Sequence, residues 1–252
     1  MNELRVRRSA LIVGATSLLG RALANEYAKD GWRVLLAGRD DAELKRIASD
    51  LSVRVTTPLP DTVVVNLADA HSIDSAAAEA LRAGVPNVII FVAGSTEGMA
   101  TAPYDAAAAQ NLLAVNYSGP ARFVGLMLPA LQKAPGSTIA FVSSIAGDRG
   151  RRTNFIYGAA KSALNAYCQG LRALLAPNDV GVLTVKLGYM DTRLAYGVAV
   201  PALTCSPGYA AKAIRRAIER RRLVVYVPAF WRWIGLALRL IPERVFIRLP
   251  IP

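Results

Sequence analysis

Short apolar stretches alternate with longer amphipathic stretches along most of this chain. Short apolar runs bounded by turns predict buried strands, whereas longer stretches with apolar residues three or four positions apart predict helices. Strands that alternate with helices favour a parallel, doubly wound sheet in a single α/β domain. The predicted strands span residues 10–13, 32–37, 62–67, 87–92, 138–142, 182–187 and 223–227, and the predicted helices span residues 20–30, 40–50, 72–83, 103–132 (bent near Gly119), 157–176 and 206–222.

Residues 228–252 follow the last predicted strand and form an extension to a domain predicted over residues 1–227. Helical spacing predicts a face with Arg232, Gly235 and Arg239 opposite an apolar stripe. A helix that carries Trp and Arg beside such a stripe is typical of membrane interfaces, although this run is too short and too interrupted for a confident span. Two interpretations stay open: the helix lies on a membrane surface, or it packs on the domain or on a second subunit. The stripe consists of Phe230, Trp233, Ile234, Ala237, Leu240 and Ile241.

Charge sharpens this picture, because the chain of 252 residues carries a formal net charge of +12 and 53% hydrophobic residues. From Lys212 onward, ten basic residues face only Glu219 and Glu243, a surplus of eight positive charges. Such asymmetry indicates an anionic partner, either nucleic acid, a membrane surface or a phosphorylated substrate, unless the face is merely solvated. The two cysteines, Cys168 and Cys205, and the lack of a signal pattern before the first strand predict a cytoplasmic protein, at most peripheral at the inner face of the membrane.

The turn after the first predicted strand has a glycine at each end, Gly14 and Gly20. Such a turn lets backbone N–H groups and a helix N-terminus face a pyrophosphate, as in a Rossmann-like dinucleotide site, although an ordinary tight connection has the same appearance. The second strand ends beside Arg39, where the ribose of the adenosine is expected. A guanidinium there suits a 2′-phosphate, so we expect NADP(H) in preference to NAD(H). Asp40 is equally suited to the first turn of the next helix.

Residues 139–161 hold the candidate chemistry. Tyr157 and Lys161 are four positions apart, so on a helix they share one face, about 5–6 Å apart at Cβ. A nearby ammonium favours the phenolate and is expected to lower the tyrosine pKa. Ser143 and Ser144 end the preceding strand and offer a hydroxyl to hold a substrate oxygen. A basic loop between Ser144 and Tyr157, with Arg149, Arg151 and Arg152, is either solvated or in contact with a substrate phosphate.

These motifs resemble those of the short-chain dehydrogenase/reductases, and the likeness covers nearly the whole chain. The resemblance implies a catalytic tetrad of Asn116, Ser144, Tyr157 and Lys161, the serine standing thirteen positions before the tyrosine. Tyr157 would be the general acid, Lys161 would also hold the nicotinamide ribose, Ser144 would bind the carbonyl oxygen and Asn116 would anchor a proton-relay water. The cofactor-binding residues expected on the same grounds are Gly14, Thr16, Ser17, Leu18, Leu19, Gly20, Arg39, Asn66, Leu67, Ala93, Gly94, Tyr157, Lys161, Gly188, Met190 and Thr192.

The chain departs from the common pattern of these enzymes at four positions, none of which moves protons. Leu18 replaces the middle glycine of the cofactor turn, and Asn66 replaces an Asp. Val92 stands where the pattern has Asn, and Leu187 where it has Pro. We expect these changes to affect cofactor contacts rather than the competence of the enzyme.

Residues 150–158 and 225–250 are also similar to the decaprenylphosphoryl-2-keto-pentose reductases. That likeness implies reduction of a keto group on a polyprenyl-phosphate-linked sugar, the second step of a 2′-epimerisation that yields an arabinose-type product for cell-wall glycans. It implies a lipid-linked sugar as substrate; an oxidase that supplies the ketone, a membrane surface (on the grounds of the charged C-terminal extension) and a homo-oligomer are open as partners.

Two rival classes remain on the sequence alone. A carbonyl reductase for an apolar ketone, lipid- or steroid-like, would keep the tetrad but need no phosphate contact. A non-enzymatic protein that senses NADP or binds nucleic acid would account for the charge; we expect no nucleic acid as a partner, because the basic regions lack interleaved aromatic residues. No His/Cys spacing typical of a metal site is present, and no metal is expected.

Overall fold

A computed structural model describes residues 8–55, 59–190 and 203–249, and these residues form a parallel seven-stranded sheet. The strands lie in the order β3-β2-β1-β4-β5-β6-β9, and each neighbouring pair is parallel. This arrangement confirms the predicted doubly wound α/β fold. The strands of the sheet are β1 (Ser9–Val13), β2 (Arg33–Gly38), β3 (Asp61–Val64), β4 (Val88–Phe91), β5 (Thr138–Ser144), β6 (Gly181–Leu187) and β9 (Val224–Val227); β7 (Tyr189–Met190) and β8 (Thr204–Cys205) pair separately.

Helices cover both faces of the sheet, because alternate side chains of each strand point to opposite sides. In β1, Ala10 and Ile12 belong to the core on the side of α1, α2 and α7, whereas Leu11 and Val13 belong to the core on the side of α3, α5 and α6. The helices are α1 (Leu18–Lys29), α2 (Asp41–Val55), α3 (Ala70–Arg82), α4 (Ala106–Leu113), α5 (Gly119–Leu131), α6 (Phe155–Leu175), α7 (Pro207–Glu219), α8 (Trp231–Leu240) and α9 (Glu243–Phe246).

Strand order reverses between β1 and β4, and this reversal fixes where a ligand can bind. In an open α/β sheet the connections diverge at such a point and leave a crevice outside the carboxyl ends of the strands. The turn after β1, the segment after β4 and the end of β5 all open into that crevice. The fold therefore brings the predicted cofactor turn and the predicted catalytic residues to one edge.

The predicted helix over residues 103–132 differs from the structure in two ways. Asp105 caps the start of α4 by accepting bonds from Ala107 N and Ala108 N, so the helix begins later than predicted. A π-helical turn, Ala114–Ser118, then separates α4 from α5. Asp40 also caps a helix, since its Oδ1 accepts from Glu43 N at 3.0 Å; this is the alternative role expected for it.

The C-terminal segment, defined here as residues 228–249, packs on the domain through one side of α8. Trp231 and Gly235 are buried, whereas Trp233 and Leu240 are exposed. Gly235 lies opposite the exposed stripe residues, as its helical spacing predicted, and the absence of a side chain there lets α8 approach Asp148. Within the described ranges, each helix is too short or too polar to cross a bilayer.

Candidate active site

Three elements bring the predicted tetrad together at the carboxyl edge of the sheet. Ser144 is the last residue of β5, and Tyr157 and Lys161 lie in the first two turns of α6. Asn116 lies in the π-helical turn between α4 and α5. A π-helical turn places a side chain at a different angle from an uninterrupted α-helix, and such turns are frequent at functional sites.

Lys161 is held in the site by the backbone of β5. Its Nζ donates to Val142 O at 3.1 Å, and the residue is only 3% exposed. Burial disfavours the ammonium and lowers the pKa of Lys161 from 10.5 to about 8. The nitrogen lies 5.7 Å from the centroid of the Tyr157 ring. Lys161 therefore exchanges a proton much closer to neutral pH than an exposed lysine does.

Tyr157 behaves differently from the expectation that Lys161 lowers its pKa. Burial raises the pKa of Tyr157, and this effect outweighs a hydrogen bond with Ser144 and the positive charge of Arg151, which both lower it. Lys161 directs its ammonium to Val142 O of β5. The phenol therefore stays protonated at neutral pH, in the form that donates a proton.

The two serines at the end of β5 have separate roles. Ser144 Oγ accepts from Ala146 N at 3.1 Å and bonds with Tyr157, so it belongs to the site. Ser143 is buried, and its Oγ donates to Asn165 Oδ1 at 2.7 Å. Ser143 therefore ties β5 to α6 behind the site. Asn165 escaped the sequence reasoning, although it stands four positions after Lys161 on the same helix face.

Asn116 is almost completely buried, with 1% exposure, and its amide is fully engaged. Its Nδ2 donates to Leu112 O at 2.9 Å and to Ser95 O at 2.8 Å, and its Oδ1 accepts from Ser95 N at 3.3 Å. A Cβ at Gly94 would lie 3.1 Å from that Oδ1 and 3.3 Å from Lys161 Nζ. The segment after β4 thus lies directly against the tetrad, which agrees with its predicted place near the cofactor.

The turn between β1 and α1 is a cradle built from backbone. Gly14 has φ +95°, and a Cβ there would lie 2.5 Å from Ala93 N; a Cβ at Gly20 would lie 2.3 Å from Gly14 O. Ser17 caps α1 by accepting from Gly20 N at 3.0 Å. The N–H groups of the first turn lack intrahelical acceptors and face the carboxyl edge, so they fit a pyrophosphate. Leu18, in the position of the missing glycine, is 52% exposed.

The side of the crevice expected to hold adenosine lies at the ends of β2 and β3. Val65 N donates to Gly38 O at 2.8 Å, which brings the residues after the two strands to the same edge. Arg39 and Asn66 are exposed there. Asn66 Oδ1 accepts from Ala68 N at 3.1 Å, and Leu67 is buried beneath. An exposed guanidinium at this edge fits the phosphate of a 2′-phosphorylated ribose.

The segment after β6 depends on a tryptophan from the C-terminal segment. A Cβ at Gly188 would lie 2.0 Å from Trp231 Nε1, and that indole donates to Leu203 O at 3.2 Å. The Tyr189 ring contacts Trp231 edge-on, with centroids 5.4 Å apart. Sequence reasoning identified Gly188 from resemblance and missed Trp231, the side chain that makes glycine necessary. Met190 is half-buried beside them, and Thr192 lies outside the described residues.

The basic loop after β5 divides its three arginines between two tasks. Arg149 turns away from the crevice: its guanidinium donates to Leu238 O at 2.6 Å and also to Ile241 O, pairs with Glu243 at 2.7 Å and lies 3.9 Å from the Phe246 ring. This is a cap for the C-terminal end of α8 and departs from the substrate contact predicted for Arg149. Arg151 acts on Tyr157, and Arg152 is exposed.

A buried polar cluster anchors the base of the same loop. Asp148 is paired with Lys186 of β6 through one carboxylate oxygen, and its other oxygen accepts from Tyr226 OH at 2.9 Å. Lys186 Nζ also lies 3.3 Å from Tyr226 OH. Burial and the neighbouring carboxylate raise the pKa of Tyr226. The cluster therefore fixes the loop to β6 and β9. Elsewhere in the described ranges too, no group of three His, Cys, Asp or Glu side chains is arranged to hold a metal ion.

Comparison with known proteins agrees with this geometry. The profile of the short chain dehydrogenase family matches residues 8–199. An uncharacterised oxidoreductase of Streptomyces coelicolor is 32% identical over 249 residues, covering 97% of this chain and 96% of its own length. The dehydrogenase/reductase SDR family member 7B of Bos taurus is 30% identical over 97% of this chain and 81% of its own.

Solved structures give the same fold. A short chain dehydrogenase from Burkholderia cenocepacia in complex with NADP has a TM-score of 0.81 at 27% identity, with 98% of each chain covered. A short-chain dehydrogenase from Sphingobium yanoikuyae in complex with NADPH also has a TM-score of 0.81, at 21% identity, covering 94% of this chain and 97% of that one. The second likeness concerns the fold alone.

Proposed function

Because this chain belongs to the short-chain dehydrogenase family and is an oxidoreductase, we propose that it uses NADPH to reduce a ketone on a polyprenyl-phosphate-linked sugar. The product would be the corresponding alcohol, in the reaction that turns a 2-keto-pentose into an arabinose-type sugar. The observation that supports an anionic substrate is Arg151, which lies in the loop before α6 and whose positive charge opposes the rise in the pKa of the Tyr157 phenol.

The chemistry divides between cofactor and protein. A bound NADPH supplies the hydride. Tyr157, kept protonated by burial, donates its proton to the oxygen of the developing alkoxide as general acid. Ser144 Oγ, which is hydrogen-bonded to Tyr157, orients that same oxygen. Lys161, held by Val142 O beside Tyr157, would bind the nicotinamide ribose, and the buried Asn116 fixes the segment after β4 that would face the cofactor.

The cofactor preference rests on two supports. Arg39 is exposed at the end of β2, where a 2′-phosphate of the adenosine would lie. The Burkholderia relative with 27% identity was solved with NADP. The cradle between Gly14 and Gly20 would hold the pyrophosphate in either cofactor, so the preference depends on the guanidinium.

The substrate class rests on two arginines of the loop before α6, Arg151 and Arg152. They follow Asp148 and Arg149, which fix the start of that loop. Guanidinium groups bind phosphate with paired, charge-assisted hydrogen bonds. The reaction also needs a substrate oxidised at the same carbon, so an alcohol oxidase acting on the lipid-linked sugar is the partner reaction that would supply it.

The test compares two ketones under identical conditions. NADPH consumption is measured with a farnesyl-phosphoryl 2-keto-pentose and with a phosphate-free apolar ketone of similar size. We expect turnover of the phosphorylated sugar and a KM at least about 100-fold higher in the Arg151→Gln/Arg152→Gln variant, since each of the two charge-assisted contacts contributes roughly 1.5–3 kcal/mol. An unchanged KM in that variant, together with faster turnover of the apolar ketone, would favour the carbonyl reductase instead.

A further inference from the structure

The helix α8 has two sides with opposite character. Its inner side holds Trp231 against Gly188 and Gly235 against Asp148. Its outer side exposes Trp233 at 65% and Leu240 at 73%. Large apolar side chains at such exposure on one helix face lie outside what folding of the domain requires.

The outer apolar side chains form one continuous face. At about 100° per residue, Trp233, Leu236, Ala237 and Leu240 fall within a single arc of roughly 100°. This arc lies opposite Trp231, the residue buried in the domain. Beyond α8, Ile247 is 70% exposed, and Val245 and Leu249 are exposed as well. We call the arc on α8 together with these three residues the outer face.

Positive charge borders the outer face. Arg232 and Arg239 lie side by side on the flank between the buried side of α8 and the apolar arc, and Arg244 and Arg248 follow in and after α9; all four are exposed. The ion pairs among the described residues include none of these four. The acidic residue of the segment, Glu243, is paired with Arg149. The Arg232 guanidinium lies 5.5 Å from the Trp233 ring.

We propose that the outer face docks the protein on an anionic lipid bilayer surface. Apolar side chains enter the boundary between headgroups and acyl chains, while flanking arginines extend their charged ends to lipid phosphates. The charge pattern favours this occupant over a second copy of the chain, because two copies would bring eight unpaired arginines into one contact. The proposal concerns binding alone and does not depend on which ketone the enzyme reduces.

The docking surface lies on the same segment that fixes the catalytic loop. Arg149 and Asp148, both in the loop after Ser144, contact the inner side of α8 and its C-terminal carbonyls. The same helix thus carries the docking surface on its outer side and holds the catalytic loop on its inner side.

The experiment measures sedimentation of the full chain with vesicles of phosphatidylcholine alone and of phosphatidylcholine with phosphatidylglycerol. We expect binding to the anionic vesicles that weakens as salt rises. The Arg232→Gln/Arg239→Gln variant should partition about 30-fold less, since each arginine near an anionic surface contributes roughly 1 kcal/mol. The Trp233→Ser/Leu240→Ser variant should lose binding, and its thermal unfolding should match the wild type because both side chains are exposed.

The matched control removes the same charge elsewhere. Lys212 and Arg216 are exposed on α7, and the Lys212→Gln/Arg216→Gln variant should bind anionic vesicles nearly as well as the wild type. Absence of wild-type binding, or equal losses in the control and in the α8 charge variant, would overturn the proposal. A wild-type dimer in sedimentation velocity that Trp233→Ser/Leu240→Ser converts to a monomer, with vesicle binding unchanged, would assign the face to a second copy and overturn it too.

Discussion

The turn between β1 and α1 and the loop between β5 and α6 form the two sides of the crevice, and different contacts hold them. The turn is fixed by backbone contacts: Gly14 lies against Ala93 N, Gly20 lies against Gly14 O, and Ser17 caps the helix. The loop is fixed by side chains, since Asp148 accepts from Tyr226 and Arg149 donates to the carbonyls of Leu238 and Ile241. The cofactor side is thus held by the backbone of the sheet edge, whereas the substrate side depends on the C-terminal segment.

The largest expected effects come from adding a methyl group on each side. Gly14→Ala should cost about 3 kcal/mol of unfolding free energy, because it combines a left-handed φ with a contact to Ala93 N. Gly188→Ala should cost a similar amount, about 3 kcal/mol, because its Cβ meets the Trp231 indole. Urea unfolding of the purified variants measures both losses.

A second substitution added to each glycine variant distinguishes a clash with a side chain from a clash with backbone. Trp231→Leu should rescue Gly188→Ala by roughly 1 kcal/mol or more relative to additivity, because the clash is with a side chain. Ala93→Gly should not rescue Gly14→Ala, since the clash there is with backbone. Rescue in both pairs, or in neither, would contradict the distinction between a turn held by backbone and a segment after β6 that is held by a side chain of the C-terminal segment.

Removing the contact between the β5–α6 loop and the C-terminal segment should have the next largest effect. Arg149→Met leaves the carbonyls at the end of α8 without their donor and is expected to lower the unfolding free energy by about 2–3 kcal/mol. Limited proteolysis should then cleave within residues 228–249 sooner than in the wild type. Arg244→Met, an exposed change in the same segment, serves as the control and should stay within about 0.5 kcal/mol. Equal unfolding free energies and equal cleavage rates in the two variants would show that Arg149 does not hold the loop to the C-terminal segment.

On the cofactor side, Arg39→Ala should weaken the binding of NADPH and leave the binding of NADH and the stability nearly unchanged. Loss of a guanidinium that contacts a 2′-phosphate is expected to raise the KM for NADPH about 10–100-fold, equivalent to roughly 1.5–3 kcal/mol. The KM for NADH, which lacks that phosphate, should stay nearly constant, and so should the unfolding free energy. A parallel rise for both cofactors would show that Arg39 does not select between them.

The smallest effect concerns the pH dependence of stability. The pKa of Lys161 falls from 10.5 to about 8 on folding, so between these values the unfolded chain binds more protons and stability rises with pH. From pH 8 to 9.5 the wild type should gain roughly 1–2 kcal/mol relative to Lys161→Met. The raised pKa of Tyr157 costs stability only above its ordinary value of 10. Identical pH slopes in urea unfolding would contradict the burial of a titrating Lys161.

Sequence patterns predicted the features that depend on neighbouring residues and missed those that depend on distant ones. The order of strands and helices, the Gly14–Gly20 turn and the tetrad spacing depend on local patterns, and the structure has the fold that they predict. Arg149 was assigned to the substrate because charge and position along the chain do not reveal which way a side chain turns. Trp231 was assigned only to a predicted helix, since nothing local links it to Gly188. Contacts between positions far apart in sequence decide both cases.

Burial is the other property that the sequence did not supply. The four-residue spacing of Tyr157 and Lys161 predicted that the lysine lowers the tyrosine pKa. In the structure Lys161 donates to Val142 O, and desolvation moves the two pKa values in opposite directions, the tyrosine up and the lysine down. Desolvation depends on the packing of β5 against α6, which no pairwise spacing contains.

The most direct test of the account is single-turnover reduction of the farnesyl-phosphoryl 2-keto-pentose by the wild type and by Tyr157→Phe, with NADPH binding measured in parallel. Tyr157 as general acid predicts a rate lower by about 10²–10⁴-fold in the variant. The Kd for NADPH should change by less than about tenfold, because the phenol hydroxyl is one contact among many and the backbone cradle at Gly14 and Gly20 is kept. Reduction by Tyr157→Phe at the wild-type rate would contradict the account.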